Sequence, residues 1–90
     1  MAIISTFYGL VISMFYDDNK KHKLPHLHVR CQNFKAVLSI PDGELIKGSL
    51  PQKKLKLVRI WISQHKEELM ENWELSINGK KFYSIEPLKK

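Results

Sequence analysis

The sequence predicts an α+β fold: an antiparallel sheet of three to four strands over residues 3–48, followed by a long helical segment over 50–78, bent or split, packed on one face. Two observations predict it. In the first half apolar residues tend to alternate, and turn residues interrupt them at Gln32-Asn33 and Pro41-Asp42-Gly43. From Leu55 onward the apolar spacing changes to three and four, the period of one helix face. The 90 residues, 43% hydrophobic and 27% charged, have the composition of an ordinary globular protein and make one domain over 1–90. A chain of this length buries about two thirds of its unfolded surface, enough for a modest core.

Each element has its own signal. Residues 3–16 are rich in β-branched and aromatic side chains (Ile3, Ile4, Thr6, Phe7, Tyr8, Val11, Ile12, Phe15, Tyr16), which fits one well-covered strand or two short ones joined near Gly9. Asp17 to Leu24 is a polar, charged loop. His26 to Cys31 alternates cleanly: Leu27, Val29 and Cys31 point to a core, while His26, His28 and Arg30 line the other, polar face. Gln32-Asn33 forms a two-residue turn into 34–40, where Phe34, Ala36, Leu38 and Ile40 share a face. A short strand over Glu44–Lys47 follows the Pro41-Asp42-Gly43 turn.

Ser49-Leu50-Pro51-Gln52 reads as a helix start, with a Ser N-cap, proline in the first turn and Gln52 at the capping-box position. Leu55, Val58, Trp61, Ile62, His65, Leu69, Trp73 and Ile77 form the buried stripe. A single straight helix of that length is too long for so small a globule, so a bend or break is expected near Ser63–Lys66. Asn78-Gly79 stops the helix, and a tail over 79–90 docks Phe82, Tyr83 and Ile85 back on the sheet.

Composition narrows the function classes. Cys31 is the sole cysteine, which excludes an internal disulfide, disfavours a cysteine zinc site and fits a reducing cytoplasm. No apolar run reaches the roughly 20 residues that cross a bilayer, and Ile3–Tyr16 reads as folded strand instead of a signal peptide. The net charge of +6 points to polyanions or an acidic protein partner. Its excess gathers at Lys20, Lys21 and Lys23, at Lys53, Lys54, Lys56 and Arg59, and at Lys80-Lys81 and Lys89-Lys90. Solvated lysines on loops and helix faces are the plainer reading of each cluster.

Three of the four histidines fall at 22, 26 and 28. His26 and His28 with Arg30 suit ribonuclease-like general acid/base chemistry, two imidazoles moving protons while a cation steadies phosphorane charge. His22, His26 and His28 also suit a divalent metal, with Asp17 or Asp18 adding a carboxylate. No cofactor is expected outright. No serine or cysteine nucleophile motif and no glycine-rich phosphate loop is present. Trp61 and Trp73 read as core, and His65 as a partly buried histidine at the bend. Tyr8, Phe15 and Tyr16 fit core packing, with base stacking as the sharper alternative.

Several motifs together resemble a small bacterial family known as domain of unknown function 4160, over about residues 3–88. They are Phe7-Tyr8-Gly9-Leu10-Val11-Ile12, Phe15-Tyr16, Asp17-Asp18 and Pro25-His26-Leu27-His28-Val29. Further along they are Gly48 with Leu50-Pro51, then Leu55, Leu57-Val58, Trp61, His65, Glu68-Leu69 and Asn72-Trp73-Glu74. The family pattern has a histidine close behind the acidic pair, whereas here Asn19-Lys20-Lys21 precedes His22. The resemblance implies a gene pair with a second small protein, domain of unknown function 2442, in a toxin–antitoxin-like arrangement. It therefore implies a toxin-like component with an antitoxin-like partner covering the basic face, and together with the positive charge and the histidine stripe it points to action on RNA or translation through His26, His28 and Arg30. Two alternatives stand beside it. One is a non-catalytic nucleic-acid- or protein-binding regulatory module whose lysine clusters make the contacts; the other is a histidine-based metal-binding protein.

Overall fold

The computed structural model describes residues 2–14, 25–40 and 42–88. One antiparallel sheet contains, in chain order, β1 (Ala2–Phe7), β2 (Leu10–Met14), β3 (His26–Cys31), β4 (Phe34–Ser39) and β5 (Leu45–Gly48). Two helices follow, α1 (Gln52–Gln64) and α2 (Lys66–Ile77). The class is α+β, as the sequence predicts. The strand count differs: the sheet has five strands, not three or four. Residues 3–14 make two of them because Tyr8 (φ 49°) and Gly9 (φ 78°) both adopt left-handed backbone, pairing Phe7 with Leu10. Two positive φ angles in a two-residue loop match the sheet's natural twist.

β5 is the fifth strand. Ser39 N–H donates to the Glu44 carbonyl at 2.8 Å, and the Ser39 Oγ accepts the Glu44 N–H at 3.0 Å, closing the turn before it. At the strand's far end Gly48 (φ 81°) is obligatory, since a Cβ there would stand 2.0 Å from the Lys35 carbonyl oxygen.

The register builds the core row by row. Ile12 lies opposite Val29, Val29 opposite Ala36, and Leu27 opposite Leu38. These residues, with Leu10, Met14, Cys31 and Ile40, share one cluster with Val58, Trp61 and Ile62 of α1 and Leu69 and Trp73 of α2. Both tryptophans are buried, and the Trp61 ring lies 5.4 Å from that of Phe7.

The helix start departs from expectation. Ser49 is not the cap, because helical backbone begins only at Gln52, two residues later than a cap at Ser49 requires; the Ser49 N–H instead donates to the Lys35 carbonyl at 3.0 Å and prolongs the sheet. Pro51 (φ −54°, ψ 141°) takes the cap position without a side-chain bond, and its carbonyl accepts the Leu55 N–H at 2.9 Å. Proline also disfavours helical backbone in the residue before it, which holds the start at this point. The break falls at His65 (φ −127°, ψ 30°), inside the expected window. Just ahead of it the Ser63 hydroxyl donates to the Ile60 carbonyl at 2.6 Å, competing with the regular helix ladder. Glu67 and Glu68 then occupy the first turn of α2, where the helix dipole favours negative charge.

After α2, Lys80 N–H donates to the Leu75 carbonyl at 2.8 Å, and the tail turns back to the sheet. Ile85 N–H donates to the Ile4 carbonyl at 2.8 Å, while Trp61 Nε1–H donates to the Glu86 carbonyl at 2.7 Å. Buried Asn72 holds the tail at both polar groups of Tyr83's backbone, its Nδ2 donating at 2.8 Å and its Oδ1 accepting at 3.1 Å. Phe82, Ile85 and Leu88 are buried; the Tyr83 side chain stays exposed.

Candidate nucleic-acid interface

The outward side of the sheet is assembled by pairing. In one row Val11, Arg30 and Lys35 stand opposite one another across β2, β3 and β4. In the next, Ser13, His28, Val37 and Lys47 do so across four strands. Arg30, Lys35 and Lys47 are exposed and His28 is half-buried, whereas Ser13 and Val37 in the second row are buried. No Asp or Glu occurs in any of the five strands. Like charges directly opposite each other cost stability in a sheet, so the Arg30–Lys35 pair carries a penalty that a bound anion would relieve.

The two helices divide the charge further. α1 carries Lys53, Lys54, Lys56 and Arg59 with no acid, whereas α2 carries Glu67, Glu68, Glu71 and Glu74. Not all of the α1 cations are free to bind. The Lys54 ammonium donates to the Tyr8 carbonyl, and Arg59 Nε donates to the Gly43 carbonyl at 3.0 Å. Both therefore fasten α1 to loops of the sheet. Lys53 and Lys56 are exposed.

The histidine row needs a correction. His28 and Arg30 share the outward face as the alternation predicts, but His26 does not lie open beside them. Only 1% of its surface is exposed. Its ring lies 5.0 Å from Trp73 and 5.3 Å from His28, the latter edge-on. The reason is tertiary: a helical tryptophan packs on the first residue of the strand, and period-two patterning carries no information about that. His65 behaves as expected, half-buried at the break, with Nδ1 2.7 Å from Glu68 Oε1 and its ring 5.4 Å from Trp61.

Asp17, Asp18, Lys20, Lys21, His22 and Lys23 lie outside the described residues, as do Phe15 and Tyr16. Of the suggested metal set only His26 and His28 are described. Among the described residues no three His, Cys, Asp or Glu side chains stand together as a metal site. Tyr83, beside α2, has its hydroxyl pKa raised above 10.0, by desolvation first, then by the charge and hydrogen bond of Glu71 and the charge of Glu68.

Lys35 and Lys47 escaped sequence reasoning. Neither sits in a lysine cluster, and each becomes part of a charged face only when strands pair. The available signal was their outward phase, Lys35 between Phe34 and Ala36 in the alternation.

The family model for a domain of unknown function, DUF4160, matches residues 9–74. The chain belongs to this family. The matched segment runs from the Tyr8-Gly9 turn to the last turns of α2, so this DUF4160 domain includes the His-Leu-His strand, the Arg30–Lys35 row and Trp73. β1 and the docked tail lie outside it. No curated protein and no solved structure matches the chain. Among the described residues no helix is long and apolar enough to cross a membrane.

Proposed function

We propose that this DUF4160 protein is a toxin-like component of a toxin–antitoxin-type module that binds RNA through the outward side of its sheet. The toxin–antitoxin setting comes from the resemblance of its motifs. The RNA-binding assignment is carried by one observation: Arg30 and Lys35 face each other, exposed, in a sheet with no carboxylate in any strand. In the next row half-buried His28 and exposed Lys47 lie on either side of buried Val37 and add a proton donor and a charge near this face. Phosphate contacts from such a face release counterions, so binding should weaken steeply with salt. An acidic antitoxin-like partner would recognise the same charges.

Regulated expression of the full chain in a bacterium, with RNA binding measured on the purified protein, tests this reading. Growth should stall on induction, and Arg30→Glu with Lys35→Glu should restore growth and abolish binding while the protein stays soluble. Unimpaired growth with abundant soluble wild-type protein would remove the toxin role. Wild-type protein that binds no RNA at low salt would remove the RNA assignment.

A ribonuclease-like reading draws on His28, whose half-exposed imidazole shares its face with Arg30. There it can pass a proton while the guanidinium steadies phosphate charge. It requires cyclic-phosphate ends on cleaved RNA that disappear in His28→Ala while binding persists.

A further inference from the structure

We infer that the RNA taken by this face is single-stranded, its bases stacking on two exposed rings at the hairpin tips, Tyr8 and Phe34. The inference rests on the RNA-binding reading and names the class of RNA. Both rings are large and open to solvent, Tyr8 at 41% and Phe34 at 40% exposure. Tyr8 belongs to the turn that joins Phe7 to Leu10, and Phe34 opens β4 opposite Cys31. Because neighbouring strands are antiparallel, both tips fall at one end of the sheet. That is also the end where Val11, Arg30 and Lys35 form their row. β2 and β4 are two strand spacings apart, roughly 10 Å, a span that one or two unstacked nucleotides can cover.

Tyr8 is also held where a base could use it. Its φ of 49° is disfavoured for a side chain with a Cβ, and asparagine or glycine would relax it. Gln32 takes the same backbone (φ 53°) at the matching position of the β3–β4 turn, so the left-handed φ belongs to the tight turn, and what sets Tyr8 apart is the exposed ring it carries there. The Lys54 ammonium bonds its carbonyl, and the Phe7 ring meets it edge-on at 6.4 Å, so the turn is braced from two sides. Phe34 lies on the opposite face of β4 from Lys35 and at its first residue, which sets its ring at the lip of the sheet. A strand of RNA crossing this end meets cations on the outward face and π surfaces at the rim. Stacking platforms beside a cationic groove are how unpaired strands are held, whereas a duplex keeps its bases inside and offers chiefly its backbone and groove.

Fluorescence anisotropy with labelled oligouridine of about twelve nucleotides, and with an RNA duplex of the same length, tests this on the full chain. The variants are Tyr8→Asn, which keeps the turn, and Phe34→Thr, which keeps the strand, each checked by its melting temperature. Wild type should prefer the single strand by roughly ten-fold, and each variant should lose about ten-fold for it while binding duplex unchanged. Equal affinity for the two probes, or single-strand affinity untouched in both variants, overturns the inference and leaves the RNA reading intact. Arg30→Glu with Lys35→Glu separates the two, since it must weaken both probes if RNA is bound at all. No binding of either probe by wild type sinks both.

Discussion

Leu27, Val29 and Cys31 on one side of β3, and His26, His28 and Arg30 on the other, share a backbone but not an environment. The first three are uniformly buried against the helices. The second three pass from buried His26, through half-buried His28, to exposed Arg30 within five residues. One row is therefore a core and the other a gradient, anchored at Trp73 and opening toward the hairpin tips. The contrast separates two roles. Stability resides in the inward row and in what holds His26, while charge available to a partner resides at the open end.

Truncation of the helical side of that core should have the largest effect. Trp73→Ala removes a ring that contributes to the cluster and also covers His26, and should cost about 3–5 kcal/mol in chemical denaturation. A loss under about 1 kcal/mol would show that α2 does not hold the closed end of the face. The outward row itself sharpens the comparison. His26→Ala should cost about 2 kcal/mol or more, and His28→Ala distinctly less, although the two residues share a strand face and a residue type. Equal losses at the two positions would erase the gradient. At the open end, Lys35→Ser should leave stability unchanged or raise it by about 0.2–1 kcal/mol, because it removes a like charge opposite Arg30.

The smallest effect concerns α2's acidic flank. Since the Tyr83 pKa is raised above 10.0 in the folded chain, its contribution is present below pH 10.0 and lost as pH rises through the higher folded value. Tyr83→Phe should flatten that alkaline decline. An ultraviolet titration of wild type against this variant reads the shifted phenol directly.

Much of this architecture was legible from local chemistry. Alternation assigned the inward row of β3, the two-residue turn at Gln32-Asn33 assigned its partner, and apolar spacing placed both tryptophans in the core. Helix length placed the break at His65 to within two residues. What was illegible depended on pairing or on distant packing. Whether residues 3–16 formed one strand or two hinged on Tyr8 accepting a left-handed φ, which a non-glycine residue rarely does. Ser49 looked like a cap because its spacing to Gln52 is local, whereas the sheet contact that engages its N–H, with the Lys35 carbonyl, is distant in sequence. The same non-local pairing joined Lys35 and Lys47 to the candidate face, and the burial of His26 came from a tryptophan on the last helix.

The salt dependence of single-stranded RNA binding, measured for wild type and for Arg30→Ser with Lys35→Ser, tests the division of roles most directly. If Arg30, Lys35 and Lys47 each neutralise one phosphate, the wild-type plot of log affinity against log salt should have a slope of roughly −2, and the variant's should be shallower by about 1.4. The same variant should unfold at the wild-type denaturant midpoint or above it. An unchanged slope and affinity in a fully folded variant would contradict the account, because the open end of the outward row would then bind nothing.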